Sequence, residues 1–556
     1  MASMPSSMES MASMASVATV SLALPSPPPL PRASVVTIHV EDIVADIDED
    51  RFEDSQVPDD DALVNLYYAN FHSAHPILVP RSLYSTQRYP TYLRLVVHCI
   101  GSQFSMPGQS DSLKDAAVKA IEAAIPTRKC HHHVQARLLL SIALHARGEI
   151  RESVAQLAQA VSIALDAGMH QRTYSTTHGG HSPIVEESLR RTWWELYVVD
   201  GFVAALQRSA GARSHACEPD VLLPCDEALY SAAGGGDKNE PPHFPESPTI
   251  EQFDARLYAD DDTSCTFASF CYRIDAVRIL VRALAVSSVG AHAAAHDVRE
   301  EQVQAIDNAL AAWRHSEAAA CRHAAADAPE DDEMLFQAHM FVAYTAIYLH
   351  FWRSDLAATV PAAFDIIRER HLPPVATRHV HARTAVAASK QLVDLAARAA
   401  MPAAVQRHTP FFVFVLVFSA IVQLSACAHH GPALHGLYRD RLALISGVLT
   451  TLSPVWTFAN TVGRKFRRMT ADLLRVHAPT AQMVTQKTHA QTHAQTQTQT
   501  HAQIQQTHTH THTHVADKAV YNIDDSSTDA EFQDGTLYGN AFPWMDLLTW
   551  DPEQGL

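Results

Sequence analysis

The stretch Glu186 to Leu206, EESLRRTWWELYVVDGFVAAL, limits what this chain can become more than any other. Leu189, Trp193, Leu196, Val199, Val203 and Leu206 recur at helical spacing, and Trp194, Tyr197 and Val198 widen the apolar face well past a single stripe. A helix that is apolar on several sides has to be covered on several sides, which implies a large core packed around it. Its start is well marked, because Ser182 supplies an N-cap hydroxyl and Pro183 the fixed φ of a first helical residue. Glu186 and Glu187 lie near the positive end of the helix dipole and four residues ahead of Arg190 and Arg191, the order that favours ion pairs on a solvated surface. The first turns therefore read as the wet end. Asp200 is a carboxylate in an apolar run and needs a partner if buried. A structural aspartate, facing solvent or paired with an arginine, fits better than a catalytic one, since no His, Ser or Cys stands at a matching helical offset.

The rest of the chain supplies the helices that such a spine demands. Leu63, Leu66, Tyr67 and Phe71 line one helical face, which should stop before His75-Pro76 because proline disfavours α geometry in its predecessor. Helical patterns follow at Tyr92 to Phe104 and Leu113 to Ile125, then a pair at Val134 to Arg147 and Ser153 to Ala167. The pair is joined by a turn at Gly148 and closed by Gly168 at a C′ position, with alanines at 136, 143, 155, 158 and 164 that let two helices approach closely as a hairpin. Cys225 to Asp262, with its GGG, PP and DDD runs, reads as a long loop between two lobes. A second helical block runs through Phe267 to Ala285, Val298 to Trp313, Met334 to Arg353, Val380 to Arg398, Thr409 to Ala428, Leu434 to Leu452 and Trp456 to Val476. Phe411 to Leu424 is apolar all round and should run through the centre of that block. No alternating strand is evident. The fold expected is all-α, a multi-helix bundle or superhelical array in one large domain of two lobes, with disordered N- and C-terminal arms.

Those arms are residues 1–61, rich in Pro, Ser and Met and then acidic, and everything after Val476. Residues 62–476 form the helical domain, with its loop at about 225–262; residues 477–516 are a Gln/Thr/His low-complexity linker; residues 517–556 are an acidic-aromatic segment. In that last segment Asp524, Asp525, Asp529, Glu531 and Asp534 precede Phe542, Trp544, Leu547, Leu548 and Trp550. This is the composition of a chain that folds onto a partner groove as a short helix, although a C-terminal helix docked on its own domain would look similar.

Several function classes recede. The formal net charge of −18 is the reverse of what a phosphate-binding surface wants, so any DNA contact must be local or supplied by another chain. The eight cysteines are scattered through helical segments and none forms a CxxC pair, which fits buried thiols in a reducing compartment. The longest apolar run, Phe411 to Val422, is shorter than the roughly 20 residues of a membrane span, so no membrane partner is expected. Cys130-His131-His132-His133 places four donors in a row, which cannot all face one ion, and it reads as a His-rich helix start. HExxH, GxSxG, P-loop and GxGxxG signatures are all missing, so no catalytic, cofactor-binding or metal-ligating residue is assigned and an enzyme is not expected. Arg464-Lys465-Phe466-Arg467-Arg468 is the one dense positive run, a solvated helix face or, through Arg464, Lys465, Arg467 and Arg468, a nuclear import signal.

Taken together these segments resemble the fungal-specific transcription factor domain, the middle homology region of fungal zinc-cluster regulators. LVNLYYANFHSAHPILVPRSLY at Leu63 to Tyr84 is similar to that domain's opening segment, and Val134 to His170 to the helix pair that follows. The "RR..WW.LY..D" element is matched by Arg190, Arg191, Trp193, Trp194, Tyr197 and Asp200, with EPDVLLP at Glu218 to Pro224 behind it. The family usually carries Arg where this chain has Gly201, and a GRP where it has Gln207-Arg208-Ser209. The resemblance implies a nuclear transcription regulator, often of a metabolic or secondary-metabolite gene cluster, that works with the transcription machinery or a coactivator, contacts DNA directly or through a partner protein, and forms homodimers. Such regulators also carry six cysteines in a binuclear zinc cluster ahead of this domain, whereas no cysteine here precedes Cys99. Zinc is therefore expected only if such a cluster is encoded upstream. The alternative is a co-regulator or helical adaptor that never touches DNA, and after it a helical enzyme.

Overall fold

A computed structural model describes residues 61–105, 110–124, 130–209, 211–233, 244, 246–258, 267–288, 296–323, 332–359, 375–399, 405–430 and 434–476. The expectations for the two arms, for the Gln/Thr/His linker and for the acidic-aromatic segment with Phe542, Trp544, Leu547, Leu548 and Trp550 fall outside these residues.

Among the described residues there is no strand. The chain forms α1 (Asp61–Asn70), α2 (Thr91–Ser102), α3 (Ser110–Ala123), α4 (Cys130–Arg147), α5 (Ile150–Asp166), α6 (Arg172–His178) and α7 (Pro183–Leu206). It continues through α8 (Glu227–Ala233), α9 (Ile250–Ala255), α10 (Ser269–Ser288), α11 (His296–His323), α12 (Glu333–His350) and α13 (Val375–Arg398). The last three are α14 (Phe411–His429), α15 (His435–Leu452) and α16 (Thr457–Val476). The all-α expectation holds, and most of the long helices begin and end within a few residues of their sequence-based bounds; α11 runs on from the expected end at Trp313 to His323. The stretch read as a long loop holds the short α8 and α9, the latter closed by a capping box between Thr249 and Gln252.

α4 and α5 pack as the expected hairpin. Gly168 takes φ +74° just past α5; its N–H donates to Leu165 O at 3.0 Å and that of Met169 to Ala164 O at 2.9 Å, the paired bonds of a Schellman stop. Of the alanines on the two helices, Ala136, Ala143 and Ala164 are buried at the contact, while Ala155 points outward. α7 lies against α4, α5 and α6 on one side and α10 on another. α10 carries α11 and α12, α12 carries α13, and α13 carries α14. α15 and α16 form a closing hairpin on α13 and α14, and α16 reaches back to α4 in the first third of the chain.

The buried apolar side chains form one continuous cluster from Val64 to Phe466, so the segments on either side of the α8–α9 stretch share a core. α14 is its axis. By length and composition this 19-residue helix could cross a membrane, which the shorter run visible in the sequence does not suggest, but 89% of its apolar window is buried against the rest of the domain. Phe414 stacks on Phe458 of α16, and Phe411 meets Phe202 of α7 edge-on.

The crossing of α1 over α2 depends on a missing side chain. A Cβ at Gly101 would lie 2.1 Å from the Leu63 carbonyl oxygen, a contact that only backbone movement can relieve. Gly101→Ala is expected to cost about 2–3 kcal/mol, as overpacking against a rigid neighbour does. Denaturant unfolding measures it, and a change within a few tenths of a kcal/mol would mean that α1 is not seated as described.

Candidate functional site

Polar groups buried in an apolar helix bundle must find partners, and α7 carries several of them. Glu187 and Arg191 are fully buried, and Arg190 is nearly so. The Glu187 carboxylate accepts from Arg191 Nε at 2.8 Å, Arg190 Nε at 2.9 Å and the Cys225 amide at 2.9 Å. Arg191 also donates to Cys225 O at 3.0 Å, meets Glu227 in an ion pair, and sits 4.0 Å over the Tyr230 ring. Burial alone would raise the Glu187 carboxyl, but Arg191 and Arg190 outweigh it and hold it below its ordinary value. The opening turns of α7 are therefore not the wet end: the Cys225–Tyr230 segment folds over them and converts a surface pair into a core one. Ser182 occupies the N-cap position, without a side-chain capping bond.

The remaining family positions are equally structural in their contacts. Trp193 and Trp194 are wholly buried, and Trp194 Nε1 donates to Leu222 O at 2.9 Å, which fastens the EPDVLLP loop to the helix. Tyr197 stacks face to face with His215, ring centroids 3.5 Å apart. Asp200 is half-buried, and Arg213 acts on it through its charge and its backbone N–H. Its Oδ2 accepts from the Ser214 amide at 2.8 Å and the Ser214 hydroxyl at 2.7 Å, and burial raises its pKa against those bonds. At Gly201 a Cβ would fall 2.6 Å from Val277 Cγ1 and 2.8 Å from His215 Nε2. The departure from the family's arginine is thus matched by a close approach of α10 that leaves no space for any side chain.

One residue that sequence reasoning passed over, Glu195, is the centre of the longest-range network. Its two oxygens accept from Arg273 Nη1 and Nη2 on α10, at 2.5 and 2.8 Å, and Oε1 also meets His75 Nδ1 at 2.8 Å. With His75 in the Nδ1–H tautomer, Nε2 accepts from the Thr409 hydroxyl at 3.2 Å. The Thr409 amide donates to Glu333 of α12, which also takes His408 Nδ1 at 2.5 Å and Gln337 Nε2 at 2.7 Å. Gln337 Nε2 reaches Ala74 O at 2.9 Å and closes the circuit. His75, Glu195 and Arg273 are all completely enclosed. Burial would raise the Glu195 carboxyl, yet Arg273 and then His75 hold it down at about 2. The visible signal was a charged residue directly after two tryptophans in an apolar run, with a matching Arg273 in the apolar stretch of α10.

A second buried group joins α11, α12 and α13. His350 Nε2 donates to Asp307 at 2.9 Å, which leaves His350 Nδ1 to accept from His381 Nδ1 at 2.8 Å. His131, His132 and His133 are buried at the start of α4, the last stacked on Tyr92 at 4.5 Å and the middle one edge-on to Tyr89. Among the described residues no three His, Cys, Asp or Glu side chains converge as a metal site. A shallow recess beside Arg191 is lined by Ser269 and by Asp226, Glu227 and Asp332, whose carboxylates already accept from Ala228, Arg191 and Leu335. The basic run lies on α16, far along the chain from these networks, with Arg464, Arg467 and Arg468 exposed and Lys465 half-buried.

The described geometry coincides with what known proteins share with this chain. A sequence model described as "Fungal specific transcription factor domain" matches residues 64–315, from α1 into α11. The C6 finger domain transcription factor iacK of Pestalotiopsis fici is 27% identical over 421 residues, which is 74% of this chain and 59% of that protein. This chain thus spans under two thirds of that relative's length. No solved structure matches. His75 and Glu195, both within the matched residues, are joined directly by a buried bond. Through residues 64–315, under half of its length, the chain is similar to the fungal-specific transcription factor domain.

Proposed function

We propose that this chain is a nuclear transcription regulator of a metabolic or secondary-metabolite gene cluster, with the helical domain as its regulatory body and residues 517–556 as its activating segment. The observation that carries the reading is the family match at residues 64–315, whose most recognisable helix is the core-spanning α7. The name of the P. fici relative points the same way. Support for the activating segment lies in sequence, where Phe542, Trp544, Leu547, Leu548 and Trp550 stand in an acidic background suited to a coactivator groove. On this reading Arg464, Lys465, Arg467 and Arg468 serve nuclear import, homodimers form, and DNA is reached directly or through a partner protein. Glu187, Glu195 and Asp200 have roles in packing, each carboxylate being committed to a neighbour.

Residues 517–556 fused to a heterologous DNA-binding domain are expected to drive a reporter, and Trp544→Ala with Trp550→Ala to return it to near background. Equal output from the two fusions would end the activation reading. The net charge of −18 favours one second reading, a co-regulator that never touches DNA. Salt-sensitive, sequence-selective binding of the full chain to DNA would sink it.

A further inference from the structure

The basic run on α16 concentrates positive charge on one helix face. Several arginines of the domain meet carboxylates, Arg81 with Asp61, Arg147 with Asp111 and Glu149, Arg256 with Asp275, Arg278 with Asp254 and Arg378 with Asp355, while Arg137, Arg213 and Arg441 meet neutral oxygens singly. Among the residues whose side chains are described, Arg464, Lys465, Arg467 and Arg468 meet no carboxylate, in a chain with 60 acidic and 42 basic side chains. Arg467 donates to the Thr450 hydroxyl of α15 at 3.1 Å, a neutral partner. Positions 464, 467 and 468 share one helix face, and like charges at these spacings repel. Partial burial and then Arg464 and Arg468 push the Lys465 ammonium below its ordinary pKa. The opposite face, with Phe458, Val462 and Phe466, is buried and anchors the helix.

The chain beyond α16 carries the complementary charge. Asp524, Asp525, Asp529, Glu531 and Asp534 lie within eleven positions, and from Asp524 to Leu556 there is no Lys, Arg or His. The residues between Val476 and Asp524, at roughly 3.3–3.6 Å per extended residue, reach many times the distance back to Arg464. The closure cost rises only slowly with their number. The other acidic stretch, Glu41 to Asp61, leads into α1, which packs on α2, whereas α16 packs on α4, α14 and α15. We propose that the acidic stretch Asp524–Asp534 docks on the Arg464–Arg468 face of α16 in the same chain, and so withholds that face from any outside anionic partner while it is seated. The docking itself stands apart from the nuclear reading. Its consequence for import, that a seated tail hides the basic run from an import receptor, rests on that reading.

The test uses the purified full chain with one dye at the exposed Asn460 and a second at Gly535, both introduced as unnatural amino acids, and reads energy transfer between them. High transfer at low salt should fall at roughly 0.5 M salt, where the Debye length is a few ångströms. It should also fall to the high-salt value in Arg464→Glu/Arg467→Glu/Arg468→Glu and, separately, in Asp524→Lys/Asp525→Lys/Asp529→Lys. Combining the two charge reversals should restore it. The tail variant lies outside every helix of the domain, so its loss cannot come from misfolding of α16. Low transfer in the parent chain, transfer indifferent to the tail reversal, or no recovery in the combined variant would each overturn the proposal. Loss caused instead by reversing Asp46, Asp48 and Asp50 would do the same and assign the face to the N-terminal acidic stretch. None of these outcomes depends on transcription, so failure here leaves the reporter result standing, and the reverse.

Discussion

Replacing Arg273 by methionine is expected to destabilise the domain by about 3–5 kcal/mol, the usual cost of stranding a buried charge. Glu195 would keep His75 but lose both guanidinium bonds, in a site with no access to water. The partner change Glu195→Leu should cost a similar amount by orphaning Arg273. The double variant Glu195→Leu/Arg273→Met should recover most of the loss, because an ion pair replaced by apolar groups of similar size is often neutral or stabilising. A denaturant double-mutant cycle reads this coupling directly. If Arg273→Met lies within 1 kcal/mol of the parent, the network is not formed as described. The cycle also separates stability from specificity. A double variant that is stable yet broadens its unfolding transition would show that the network serves to hold α7, α10 and the His75 and Thr409 segments in one register.

The second large effect is acid sensitivity well above the carboxylate range. Burial holds His72 at about 3 and His145 at about 4, both far below the ordinary value of 6.5. A ring that stays neutral when folded but charges when unfolded adds stability that is fully present above pH 6.5. That stability is withdrawn as pH falls toward the folded value, because the unfolded chain binds the extra proton. By pH 5 these two rings together have withdrawn about 4 kcal/mol. His215 and His381, both held at about 4 chiefly by burial, act in the same direction. Glu195, held at about 2, withdraws its own share only below the ordinary carboxylate pKa. Thermal unfolding between pH 7.5 and 4.5 should show a midpoint that falls steadily from pH 6.5 downward. A flat profile from pH 7 to pH 5 would show that these rings are not enclosed, and His145→Phe should make the slope shallower.

Most of the helices were legible because an amphipathic or wholly apolar run announces itself in one dimension. Phe411 to Leu424 needed no partner to be read as central, and Gly168 marked its Schellman stop by residue type alone. What could not be read is which polar residues become enclosed. Glu187 was misjudged because the segment that covers it, Cys225 to Tyr230, lies far away in sequence and offers a backbone amide, a group that no side-chain pattern advertises. Asp200 was read as a residue in need of a partner, but the partner is Ser214, whose hydroxyl and amide are equally invisible to charge counting. The short α6, α8 and α9 have too few turns to show a period, and their contacts rather than their sequence define them. The family positions on α7 were recognisable from residue type. Glu195, which sits at the centre of the longest-range network, was not singled out.

The return of α16 to α4 bears on how the protein is made. α4 leaves the ribosome long before α16 exists, and at 5–20 residues per second the interval between them is on the order of 15–60 s. Through that time the face of α4 that later meets α16 remains uncovered. A nascent chain with so much apolar surface waiting for its last helix is a natural client for chaperones and a ready substrate for proteases. For the same reason the matched stretch at 64–315 is not a unit of folding by itself. Its helix pair and its tryptophan spine are completed by α12, α14 and α16, all of which lie beyond it.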